Sequence, residues 1–95
     1  MLTFQRSPEG EVILIGRLDS TTSEYARTEF AEISRSCSVN FAAVDYISSA
    51  GLSVLLLTQQ RLVETGDELL LVKLRKPVLD VFKIAGFDRV FRIEE

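Results

Sequence analysis

The sequence has 95 residues, among them no histidine, no tryptophan, one cysteine and two prolines. Without histidine, neither a Ser-His-Asp nor a Cys-His catalytic relay can be assembled, and no imidazole is available to a metal. A single thiol, Cys37, forms neither an internal disulfide nor a zinc cage. It reads as a small apolar filler, and a chain without disulfides fits a reducing compartment. Long hydrophobic runs are also missing. Stretches such as Val54–Leu57 fall far short of the roughly 20 apolar residues that a membrane helix needs. Met1–Arg6 has no apolar signal core, so the chain is expected to be soluble, cytoplasmic and without membrane contact. Lysine and arginine number 11 against 14 acids, for a net charge of −3, and they are scattered. No basic stripe follows a phosphate backbone, which argues against nucleic acid. A Gly-Lys-Ser/Thr phosphate loop and a Gly-x-Ser-x-Gly elbow are both absent, which argues against nucleotide binding and a serine hydrolase. No cofactor and no metal is expected.

What is present is ordinary globular material, 46% hydrophobic and 26% charged. This length makes one domain, over residues 1–95, with little room for both a core and a deep substrate pocket. Leu2, Phe4 and Arg6 alternate with polar neighbours, Ser7-Pro8-Glu9-Gly10 supplies a turn, and Val12–Ile15 runs apolar up to Gly16, which predicts a hairpin. Asp19-Ser20-Thr21-Thr22 is a cluster of cap formers before a helix from about Ser23 to Arg35, with Tyr25, Phe30 and Ile33 as its apolar positions. Val39–Val44 reads as a central strand. A second helix opens at Ser48–Gly51, carries Leu52, Leu55, Leu56, Leu62 and Val63 on one face, and stops near Gly66. Leu69–Val72 is a further strand. Pro77 starts a third helix with Val78, Val81, Phe82 and Ala85 inward, Gly86 ends it, and Val90–Ile93 forms a short last strand. The order ββαβαβα(β) implies an α/β fold with a mixed sheet of four or five strands and helices mainly on one face.

The segment Val44-Asp45-Tyr46-Ile47-Ser48-Ser49-Ala50-Gly51-Leu52 places two hydroxyls where a buried strand hands over to a helix. On residue chemistry alone, Ser48 or Ser49 is a helix cap and Gly51 permits close helix-to-sheet packing. The same place suits a phosphate, because the first amides of a helix are free and its dipole is positive there. Ala50 and Gly51 keep bulk away from it.

This segment closely resembles the Asp-x-Ile-Ser-Ser-Ala-Gly-Leu signature of STAS-domain anti-sigma-factor antagonists. Gly16-Arg17-Leu18-Asp19 resembles the family's Gly-x-Leu-Asp turn, with Ser20-Thr21-Thr22 leading into the first helix. Gly66-Asp67-Glu68-Leu69, Pro77 and Ile84-Ala85-Gly86-Phe87 match more loosely, in family order over nearly the whole chain. The resemblance implies a single STAS-type domain that is not an enzyme but a substrate and switch. In the family, the unphosphorylated antagonist binds an anti-sigma factor that is also a serine kinase. ATP-dependent phosphorylation releases it, and a metal-dependent serine phosphatase restores it. The phosphoacceptor, two positions before the glycine, falls on Ser49. Asp19, Ser20, Thr21, Asp45, Ser48, Ala50, Gly51 and Leu52 form the phosphosite neighbourhood and docking surface. Asp19 takes the place of the family acid near the phosphosite, and Asp45 is read as orienting the loop or simply as solvated. Tyr46 and Phe87 are read first as core aromatics, with partial exposure and contact with a partner as the alternative. The chain is expected to be a monomer or weak dimer. An alternative within the same fold is a regulatory or scaffold subunit with another output, in lipid transport, secretion or signalling.

Several positions depart from the family pattern. Ser48 stands where some members have Asp, and Asn40 where many have Asp near the strand. The first helix is separated from Val39 by few residues, and the sequence closes at Glu95 without the further helix that many members carry.

Overall fold

The computed structural model describes residues 1–94. The first hairpin pairs β1 (Leu2–Arg6) antiparallel to β2 (Val12–Leu18), from Arg6↔Val12 to Leu2↔Gly16. Its turn closes with the Gly10 amide donating to the Ser7 carbonyl at 2.9 Å and the Ser7 amide to the Glu11 carbonyl at 2.8 Å. β2 does not stop at Gly16. It passes through that residue at φ +115° and continues to Leu18. The left-handed conformation needs glycine, and a Cβ there would run into the Met1 carbonyl.

The five strands lie in sequence order, and β2, β3 (Cys37–Ile47), β4 (Leu69–Val72) and β5 (Arg92–Glu94) are mutually parallel. Three crossovers connect them: α1 (Ser23–Phe30), α2 (Ser49–Val63) and α3 (Lys76–Ile84). Right-handed crossovers that all step the same way leave their helices on one face. The expected α/β class and element order therefore hold, with a 3₁₀ turn at Phe87–Arg89 before the last strand. Between sheet and helices lies a core that includes Leu14, Phe30, Phe41, Leu55, Leu71 and Phe82, all fully buried. Phe82 packs edge-on to Phe41 at 6.1 Å and to Phe91 at 5.8 Å between ring centroids.

Several expected boundaries move, each for a visible reason. α1 ends at Phe30, not near Arg35, because the Arg61 guanidinium donates to the carbonyls of Phe30 and Ile33 and closes the turn there. Ile33 stays in the core although it has left the helix. The short link to β3 is fastened by Asp67, whose carboxylate accepts from the Ser36 amide and hydroxyl, each at 3.0 Å. Those bonds, with one from Thr65, hold the Asp67 carboxyl below its ordinary range. Tyr25 is exposed rather than inward, and its hydroxyl accepts from the Phe4 amide on the edge strand. On α2, Leu56 is only half-buried and Val63 is exposed, while Val54, Thr58 and Gln59 are buried. Gln59 is satisfied there, accepting from the Leu69 amide at 2.8 Å and donating to the Val90 carbonyl at 3.1 Å. Ala85 is exposed beyond the end of α3, and β5 begins only at Arg92 because Val90 and Phe91 fold back to bond the Phe87 carbonyl.

β3 is longer than expected. It buries Val39, Phe41, Val44 and Ile47, so strict alternation breaks twice. The pairing with β2 shifts at the same places, between Ile13/Ile15 and Gly16/Arg17. Each shift admits one extra residue on β3, a bulge that resets which side chains face the helices. At the first bulge the Asn40 side-chain carbonyl accepts the Ala42 amide at 2.9 Å, and Arg75 Nε donates to the Ala42 carbonyl at 2.8 Å.

Candidate functional site

The parallel pairing of β2 with β3 ends at Leu18↔Ile47. One more bond follows, from the Ser48 amide to the Leu18 carbonyl at 3.0 Å. Two loops far apart in sequence, Asp19–Thr22 and Ser48–Gly51, thus leave the sheet side by side at the C-terminal ends of adjacent strands.

Ser48 has the extended backbone of a helix cap, φ −108° and ψ 176°, yet its side chain makes no capping bond. Its hydroxyl is buried with no partner among the described residues. Ser49 is the first helical residue and is exposed. Its carbonyl accepts the Ser53 hydroxyl at 3.0 Å, while its own hydroxyl makes no hydrogen bond among the described residues. Ala50 is half-buried, Leu52 is buried, and Gly51 is where α2 touches the sheet. A Cβ on Gly51 would stand 2.6 Å from the Leu18 carbonyl oxygen and 2.7 Å from Leu18 Cγ. Glycine is therefore required there by packing, which draws the start of α2 against the end of β2.

Asp19 organises the neighbouring loop. Its Oδ1 accepts the Thr21 amide at 3.0 Å, the Thr21 hydroxyl at 2.8 Å and the Thr22 amide at 3.2 Å. Its Oδ2 accepts Arg17 Nε at 3.2 Å. The Thr21 hydroxyl bond is the largest influence, and with Arg17 and the two amides it brings the Asp19 pKa from 3.8 to about 2. The carboxylate thus stays charged at any physiological pH. The expected capping of α1 by Asp19, Ser20 and Thr21 is realised differently. Thr22 is the cap residue, without a side-chain cap bond, and its hydroxyl donates to the Arg17 carbonyl at 2.8 Å. Ser20 and Thr21 are exposed. Asp45 is also exposed, and its carboxylate has no hydrogen bond or ion pair among the described residues; it lies within β3 rather than in a turn, as a solvated strand acid.

Arg17, to which sequence reasoning assigned no role, and Tyr46 complete this pole. The Arg17 guanidinium lies 4.3 Å above the Tyr46 ring centroid while it holds Asp19. Tyr46 is 42% exposed, which corrects its reading as a core aromatic, whereas Phe87 is half-buried against Phe91 as expected. The shifted register sets Arg17 opposite Tyr46, and only knowledge of that pairing would have joined them. A cleft of about 540 Å³ lies at the opposite end of the sheet, lined among others by Arg6, Glu11, Arg35 and Cys37. Burial raises the Cys37 thiol pKa, with Arg6 opposing. Among the described residues no cluster of acids and thiols could hold a metal, and no helix is long and apolar enough to cross a membrane.

An α/β module with this pair of loops at one pole matches a known family. The model of the STAS domain covers residues 7–95. The anti-sigma factor antagonist BtrV of Bordetella bronchiseptica is 36% identical over 84 residues, spanning 84% of this chain and 72% of that protein. The chain belongs to the STAS domain family, in the company of anti-sigma-factor antagonists. Solved structures agree on the fold. An anti-sigma factor antagonist from Thermotoga maritima superposes with a TM-score of 0.83 at 20% identity, over all of this chain and 86% of that one. Unphosphorylated SpoIIAA gives 0.71 at 14% identity, over all of this chain and 88% of its own. The phosphorylated SpoIIAA of Bacillus gives 0.70 at 16% identity, over all of this chain and 92% of its own.

Proposed function

We propose that this chain is a single-domain anti-sigma-factor antagonist, residues 1–95, and a partner-switching substrate rather than an enzyme. It works in the cytoplasm, where sigma factors act. Unphosphorylated, it docks through the Asp19–Thr21 and Asp45–Leu52 surfaces on an anti-sigma factor that is a serine kinase. The kinase supplies ATP, magnesium and the base. The Ser49 oxygen attacks the γ-phosphorus, the bond to ADP breaks, and the hydroxyl proton passes to the kinase base. A metal-dependent phosphatase reverses the change. The observation that carries this reading is an exposed Ser49, the first residue of α2, in the loop that neighbours the one held by Asp19. That SpoIIAA has been solved with and without its phosphate supports it.

Release follows from charge. A phosphoryl group brings about −1.5 to −2 charges to a pole whose other loop carries an Asp19 that is already ionised. The free amides of α2 tolerate this within the domain, whereas a partner packed on the site meets bulk, desolvation and repulsion. A 100-fold loss of affinity requires only about 2.7 kcal/mol.

The test is the intact mass and phosphosite of the protein purified from its own cells. One phosphate on Ser49, absent in Ser49→Ala, is the expected result. Protein that stays unmodified in every growth condition, or that carries phosphate elsewhere, would overturn the reading. Ser49→Ala should fold as the parent does, within about 0.5 kcal/mol in urea titration, since it removes only an exposed hydroxyl.

A further inference from the structure

We propose that Arg17 is the internal receptor for a phosphoryl group on Ser49, and that phosphorylation draws its guanidinium away from Asp19 and Tyr46. The proposal rests on Ser49 as acceptor and adds a mechanism by which the modification reshapes the docking surface.

Arg17 is held, but incompletely. One nitrogen, Nε, donates to Asp19 Oδ2 at 3.2 Å, and the guanidinium rests 4.3 Å above the Tyr46 ring. Its terminal nitrogens make no hydrogen bond among the described residues, and the side chain is 51% exposed. The pair is a single bond from a half-exposed guanidinium, open to solvent and screening on the Arg17 side. Asp19 does not depend on it, because Oδ1 is fastened by Thr21 and Thr22 from the other side. The guanidinium can therefore leave while the carboxylate stays in place.

The register puts Arg17 and Ser49 at the same end of neighbouring strands. Arg17 pairs with Tyr46, Leu18 pairs with Ile47, and the Ser48 amide bonds the Leu18 carbonyl. Ser49 is thus one residue beyond a direct bond to the neighbour of Arg17, across strands spaced about 4.8 Å apart. The cations that follow β4 are placed lower. β4 ends at Val72 opposite Asn40, well short of the end of β3, and Arg75 is engaged with the Ala42 carbonyl. A phosphate dianion offers a guanidinium two parallel charge-assisted bonds, where Asp19 takes only one.

Three features of the surface then change together. The phosphate arrives, Asp19 Oδ2 loses its cation, and the Tyr46 ring is uncovered. A partner that had docked on an Asp19–Arg17–Tyr46 arrangement would meet a different charge pattern over the whole pole, not only at Ser49.

The experiment needs no kinase. The full chain is made with phosphoserine installed at position 49, with Arg17 or with Arg17→Gln. The Arg17 Nε–H signal and the phosphorus signal are followed by NMR over pH 4–8. A displaced Arg17 Nε–H signal is expected on phosphorylation. The second phosphate pKa, ordinarily about 6, should be lower with Arg17 than with Gln by about one unit. A phosphate that titrates at the same pH with either residue would overturn the proposal. If the variant does not fold, an Arg17 Nε–H signal unmoved by phosphorylation overturns it in the native chain. Either failure leaves the kinase switch standing, whereas a Ser49 never modified in cells sinks the switch without touching this geometry.

Discussion

Gly51 and Asp19 show how much single residues decide at this pole. Gly51 has no room for a methyl group, since the obstacle is the Leu18 backbone and not a flexible side-chain tip. Gly51→Ala should cost about 1–3 kcal/mol, seen as a lower urea midpoint with an unchanged slope. Asp19 makes its prediction through pH. Its folded pKa of about 2 lies below the ordinary 3.8, so its contribution to stability is full above the ordinary value. That contribution fades as pH falls from about 4 toward 2. Urea midpoints measured across pH 2–5 should therefore drop more steeply for the parent than for Asp19→Asn. Parallel curves would show that the carboxylate does not depend on these bonds.

At the scale of the element, β3 is the decisive piece. Its two bulges turn Phe41, Val44 and Ile47 in succession toward the helices and set Tyr46 opposite Arg17. Asn40 is the side chain that holds the first bulge, by accepting the Ala42 amide. Asn40→Ala should lose about 1 kcal/mol in urea titration. Asn40→Asp keeps an acceptor in place and should lose less. Equal losses for the two variants would show that the bulge is held by the strand pairing alone.

For the whole molecule, the edge-on stack of Phe41, Phe82 and Phe91 ties β3, α3 and the approach to β5 into one core. Phe82 is fully buried at its centre. Phe82→Ala should cost about 3–5 kcal/mol, a large part of the 5–15 kcal/mol typical of a domain. Far-ultraviolet circular dichroism should find that variant largely unfolded in mild urea, and Phe82→Leu should fall between it and the parent. A cost under 1 kcal/mol for the alanine would mean that the last third of the chain is not integral to the core. The Cα radius of gyration of 11.9 Å fits a compact folded chain of this length.

The order of strands and helices was legible from the sequence because each element carries a local signal: alternation in β1, cap formers before α1, Pro77 before α3, and a clean apolar run at Leu69–Val72. The Ser49 junction was legible for the same reason, as a run of adjacent residues with a recognisable pattern. What had no local signal was decided by the tertiary structure. α1 stops early because Arg61, distant in sequence, takes its terminal carbonyls. Thr58 and Gln59 look polar in the sequence but are buried, since their bonds are met by Val54 on the same helix and by Leu69 and Val90 beyond it. Arg17, Asp19 and Tyr46 meet only because a bulged parallel register aligns two strands separated by a helix. Short-range patterns choose elements; pairings across the sheet choose which side chains share a site.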